Sequence, residues 1–124
     1  MLHVDITDVQ AGKLVMKKAN DLWGGIDIVV YNVGKSNQGG VLETELNDWK
    51  EVFDINLTGA FMLVKEVLPF MRSQKQGSII FISSVAAVYS SPYSYAPYEI
   101  SKSALIKLSE TIARENAQFQ IRCN

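Results

Sequence analysis

Apolar positions along the chain change period several times, and each change predicts an element. Leu2-His3-Val4-Asp5-Ile6 alternates with period two, like a short strand, and Thr7 or Asp8 can cap the helix after it. Ala11, Leu14, Val15, Ala19 and Leu22 form a helical stripe over Val9–Leu22, with lysines on the other face and Gly24-Gly25 as the stop. Ile26-Asp27-Ile28-Val29-Val30-Tyr31 is β-branched and nearly continuous, the pattern of a strand buried on both faces. Asn32-Val33-Gly34 turns out of it into a polar, glycine-bearing loop, Lys35 to Gly40. Thr44 or Asn47 begins a helical segment with Trp49, Val52 and Phe53 at helical spacing. From Asp54 to about Met71 the pattern is long and strongly apolar, and Pro69 predicts a kink by removing one backbone donor. After a turn at Gln74–Gly77, Ser78–Ile82 has the composition of a buried strand. The loop Val85–Pro97 holds Tyr89, Tyr93 and Tyr95, and a helix comes next over about Ala96–Asn116, with Leu105, Leu108 and Ile112 inward. Gln120–Asn124 opens another strand.

This β-α-β-α-β-α-β alternation predicts an α/β fold with a parallel sheet flanked by helices and right-handed crossovers. A length of 124 residues suits one domain, residues 1–124, with a modest core. The balance of 48% hydrophobic and 20% charged residues is that of a soluble globular chain. A net charge of −1 offers no basic field to nucleic acid or an anionic membrane. No apolar run reaches the roughly 18 residues of a membrane span, and the N-terminus has no signal layout. The lone Cys123 excludes an internal disulfide and fits a reducing cytoplasm. His3 is equally isolated, so no metal site is expected.

The chemistry concentrates in Ser83–Lys102. Tyr98 and Lys102 stand at i, i+4 and share one helical face, about 5–6 Å apart at Cβ. A nearby ammonium favours phenolate and lowers a tyrosine's pKa from about 10, which suits proton exchange near neutral pH. Ser83 and Ser84 close the Ser78–Ile82 strand, where open α/β sheets gather their ligands. Taken singly, each feature has a plainer explanation. Tyr/Lys pairs are common on helices, serines form turns, and a mid-helix asparagine such as Asn56 bonds to a nearby carbonyl.

The ordered set is more specific. Asp5-Ile6, Asn32-x-Gly34, Asn56-Leu57-Thr58-Gly59, Ile82-Ser83-Ser84 and Tyr98-x-x-x-Lys102, together with Ile121–Asn124, resemble the short-chain dehydrogenases/reductases over essentially all 124 residues. That resemblance implies a partial Rossmann-like, doubly wound parallel sheet and an NAD(P)-dependent oxidoreductase interconverting a carbonyl and a secondary alcohol. It implies Tyr98 as general acid/base, Lys102 tuning it and bonding the nicotinamide ribose, and Ser84 polarising the substrate carbonyl. Asn56 would anchor a water joining Lys102 to solvent. Asp5 would accept from the adenine amine and Ile6 would offer its backbone, while Asn32, Val33 and Gly34 would border the cofactor, NAD or NADP. The apolar helices Asp54–Met71 and Ala96–Asn116 would pair subunits into a dimer or tetramer in the full-length form.

Three departures stand out. Val33 replaces the family's usual alanine. Ser84 to Tyr98 spans 14 residues, one more than expected, which leaves Ser83 or Ser84 as the working hydroxyl. None of the eight glycines stands in Gly-x-Gly-x-x-Gly spacing, so an internal fragment is expected, without the phosphate turn and the segment that closes over substrate. In a 3-2-1-4-5-6 sheet, Leu2–Asp5 and Ile26–Tyr31 are separated by two strands, so Leu2–Asp5 here either pairs with Ile26–Tyr31 or stays unpaired. A different class of function, a non-catalytic relative acting only through subunit association, fits the missing phosphate turn. The tyrosines of the Val85–Pro97 loop and the Lys35–Val41 stretch would line the substrate entrance and suit an apolar or ring-bearing molecule.

Overall fold

Helix α1 spans Ala11–Trp23 and stops where Gly24 takes φ 75°, its N–H donating to the Asn20 carbonyl. The computed structural model describes residues 2–90 and 92–124; Met1 and Ser91 lie outside the described residues. After α1 come β1 (Ile28–Tyr31), α2 (Leu46–Phe53), a π-helical turn (Asp54–Thr58), α3 (Gly59–Gln74), β2 (Gly77–Phe81), α4 (Ala96–Asn116) and β3 (Ile121–Cys123). Pro69 lies within α3, which continues past it to Gln74. The helix N-caps fall on Gln10 and Glu45 rather than on the polar candidates Thr7, Asp8, Thr44 or Asn47. Asp8 instead accepts from the Gln10 N–H, and the Thr44 hydroxyl donates to the Gly40 carbonyl, so both brace the turn ahead of the helix.

The three strands are parallel in the order β1-β2-β3, with Tyr31 beside Phe81 and Ile79 beside Cys123. One face of this sheet carries Val29, Tyr31, Ile79, Phe81, Ile121 and Cys123, which are buried in one cluster with Leu63, Val64, Val67 and Met71 of α3 and Leu105 and Ile112 of α4. The continuous apolar run of β1 predicted burial on both faces. Instead, Ile28 and Val30 are 64% and 57% exposed, because the helices cover only the Val29–Tyr31 side of β1. The result is a parallel three-stranded sheet flanked by helices, a Rossmann-like arrangement.

Leu2–Asp5 forms no strand. Alternation sets which side chains share a face but supplies no edge to pair with. Asp5 Oδ1 accepts from the N–H and hydroxyl of Thr7 at 2.9 and 2.7 Å, folding the chain into a turn while Ile6 packs on the core. Among the described residues no helix is long and apolar enough to cross a membrane.

Candidate active site

Because β1 and β2 run parallel and in register, the segments leaving them, Asn32–Ser36 and Ile82–Ser84, emerge side by side at the carboxyl end of the sheet. Helix α4 starts at that same end. Its Lys102 is 4% exposed, and the ammonium donates to the Ile82 carbonyl at 2.8 Å. Burial lowers the Lys102 pKa from its ordinary 10.5. The ammonium stands 5.7 Å from the centre of the Tyr98 ring, one turn earlier on the same face.

Two cavities meet here. One, of about 260 Å³, is bordered by Asn32, Gly34, Ser83 and Lys102; the other, of about 490 Å³, by Val85, Ala86, Tyr89 and Tyr95. Ser36 and Tyr98 line both, so Tyr98 stands at the junction. The loops above are tied together, with the Gly39 N–H donating to Ser94 and the Ala96 N–H to Gly39.

The two serines do different things. Ser83 donates its hydroxyl proton to the Lys102 carbonyl at 2.8 Å, fastening β2 to α4. Ser84 caps a short 3₁₀ turn, Val85–Ala87, its oxygen accepting from the Ala86 N–H at 3.1 Å. A hydroxyl that accepts from backbone keeps its own proton to donate, whereas the Ser83 proton is committed to the Lys102 carbonyl. Of the two serines, Ser83 borders the smaller cavity and Ser84 borders neither of the two.

Asn56 is fully buried in the π turn, and its amide reaches across the fold. The Lys35 N–H donates to Asn56 Oδ1 at 2.7 Å, and Asn56 Nδ2 donates to the Lys35 carbonyl and to Ser101 Oγ, each at 2.9 Å. Ser101 in turn donates to the Tyr98 carbonyl at 2.8 Å. The local backbone bond expected of a mid-helix asparagine is therefore replaced by partners 21 and 45 residues away. Both amide donors are engaged, which leaves one lone pair of Oδ1 for any water. Gly34 makes this packing possible, since a Cβ there would lie 3.2 Å from Lys102 Nζ and 3.6 Å from Asn56 Oδ1.

Asp5 and Ile6 lie away from this junction. Asp5 is exposed, and its bonds from Thr7 hold its carboxyl below the usual range. Ile6 and Val33 share a separate apolar cavity of about 590 Å³ beside β1 and α1. Pattern reading missed Ser101, Tyr31 and the Lys35 backbone. Ser101 alone left a signal, a small polar residue on the inward face of α4 between Tyr98 and Lys102.

Comparison with known proteins bears on this geometry. A family model described as short chain dehydrogenase matches residues 1–124. The 3-oxoacyl-acyl-carrier-protein reductase FabG of Thermotoga maritima is 34% identical over 121 residues, covering 98% of this chain and 49% of that protein. The solved structure of ElxO with NADP bound superposes with a TM-score of 0.92 at 30% identity, covering 99% of this chain and 50% of that one. A gluconate 5-dehydrogenase from Burkholderia cenocepacia, in complex with NADP and tartrate, gives a TM-score of 0.90 at 27% identity, over 98% and 47%. The chain spans about half the length of these relatives.

Proposed function

The chain belongs to the short-chain dehydrogenase family, and from that premise we propose that it supplies the catalytic half of an NAD(P)-dependent oxidoreductase interconverting a carbonyl and a secondary alcohol. The observation that carries this reading is the convergence of Tyr98, Lys102 and Ser83 on two adjoining cavities at the carboxyl end of a parallel sheet, with Ser84 the next residue between the two linings.

The residues present fit a nicotinamide nucleotide. Donors on Lys102 and Asn32 border the smaller cavity, and Gly34 keeps its wall free of a side chain. Asn32, Gly34, Tyr98 and Lys102 would hold the nicotinamide end, and Asp5, Ile6 and Val33 the adenine end. When bound, the nicotinamide exchanges the hydride with the carbonyl carbon. In the reducing direction, the Tyr98 hydroxyl gives its proton to the carbonyl oxygen while Ser84 donates a hydrogen bond to it. Lys102 holds its positive charge 5.7 Å from the centre of the Tyr98 ring, opposing the negative charge left by proton release. Asn56 completes the relay by fixing, through Lys35 and Ser101, the turn and the helix that face each other across the cavity.

Substrate is held in the larger cavity, whose Val85, Ala86, Tyr89 and Tyr95 suit an apolar or ring-bearing carbonyl compound. Exposed Phe61 on α3 and Ile100 and Ile106 on α4 support association of subunits through these helices.

The test is Tyr98→Phe in the full-length protein. Removing a general acid lowers kcat by about 10²–10⁴, while NADPH affinity and melting temperature stay close to wild type. Wild-type turnover in that variant removes the assignment.

A further inference from the structure

We infer that Tyr31 is a positioning residue for this site: its hydroxyl holds open the π turn that presents Asn56 to Lys35 and Ser101. The inference rests on the reading of Asn56 as part of the relay.

In an α-helix the Gly59 N–H would bond the carbonyl four residues back, that of Ile55. Here it bonds the Asp54 carbonyl, five residues back. The Ile55 carbonyl is thereby released from its helical partner and accepts from the Tyr31 hydroxyl instead. Tyr31 is 2% exposed, so the bond is sheltered from water. Burial pushes the Tyr31 pKa up to about 12, which keeps the hydroxyl a donor throughout the physiological range.

Space for the arrangement comes from Gly59, where a Cβ would sit 2.8 Å from the Tyr31 oxygen. Tyr31 is also the last residue of β1, immediately before Asn32-Val33-Gly34. Two ties therefore join the strand end to the helix: Tyr31 to Ile55, and Lys35 to Asn56. Without the hydroxyl, a sheltered carbonyl loses its partner, which favours relaxation of the turn. Reversion of the turn from i−5 to i−4 bonding shifts the register by one residue, about 100° about the helix axis, enough to turn Asn56 away from Lys35.

The experiment is a double-mutant cycle in the full-length protein, comparing wild type, Tyr31→Phe, Asn56→Ala and the double variant. Positioning predicts that Tyr31→Phe lowers kcat by about ten- to a hundredfold, leaves the KM for NADPH within about twofold, and adds no further loss on top of Asn56→Ala. Amide hydrogen exchange gives a second readout in any variant that folds, with Asn56–Gly59 exchanging faster in Tyr31→Phe than the rest of α3. Wild-type kcat in Tyr31→Phe alongside a defective Asn56→Ala overturns the inference and leaves the relay standing. Losses that multiply in the double variant, or unchanged exchange at Asn56–Gly59, overturn it too. Wild-type turnover in Asn56→Ala overturns the relay and this inference with it.

Discussion

At the scale of single residues, the site is assembled from groups that burial would penalise without partners. Lys102 keeps its ammonium on the Ile82 carbonyl, Asn56 commits both amide donors, and Ser101 links Asn56 to Tyr98. Tyr31 offers a clean measure of such burial. Its folded pKa of about 12 lies above the 10.0 of an unfolded tyrosine. Between those values the unfolded chain has released a proton that the folded chain still holds, so stability falls as pH rises. The contribution is complete below pH 10.0 and lost as pH climbs through about 12. Tyr31→Phe should remove this component. Urea midpoints measured at pH 9 and again near pH 11.5 should fall less steeply in the variant than in wild type, and equal slopes would show that Tyr31 is not protected.

At the scale of elements, the π turn between α2 and α3 is the place where helix propensity and tertiary packing disagree. Gly59 occupies a helical position, where alanine is normally favoured by about 1 kcal/mol. A Cβ at Gly59, however, would meet the Tyr31 oxygen at 2.8 Å, Ile6 Cγ1 at 2.9 Å and the Ile6 carbonyl at 3.1 Å. Overpacking of that kind costs about 1–3 kcal/mol. With three heavy atoms at 2.8–3.1 Å the steric effect is the larger, so Gly59→Ala should be destabilising, by up to about 2 kcal/mol after the propensity gain is subtracted. A denaturant midpoint equal to or above wild type would mean that Tyr31 and Ile6 give way without strain.

At the scale of the whole molecule, stability comes from one face of the sheet. Ile79 and Ile28 have the same side chain and sit on adjacent strands, yet Ile79 is fully buried and Ile28 is 64% exposed. In the 124-residue chain, Ile79→Ala should therefore cost about 2–5 kcal/mol, as core truncations do. Ile28→Ala should stay within about 0.5 kcal/mol. Comparable losses from the two would mean that the outer face of β1 is covered in solution.

Legible along the chain was whatever depends on near neighbours. The helical stripe of α1, the stop at Gly24, the span Ala96–Asn116 of α4 and the Tyr98–Lys102 spacing all come from local periodicity, because helix and strand side chains repeat with the backbone. The β-α alternation carried the fold class, and the ordered motifs the family resemblance. Three features were settled only once distant segments met: the unpaired state of Leu2–Asp5, the open face of β1, and the commitment of Asn56 to Lys35 and of Ser83 to Lys102. Strand pairing and buried hydrogen bonds need a partner as well as a pattern, and the identity of that partner is set by topology. Sequence alone determined which polar side chains were available; tertiary packing decided which of their protons and lone pairs are committed to buried hydrogen bonds.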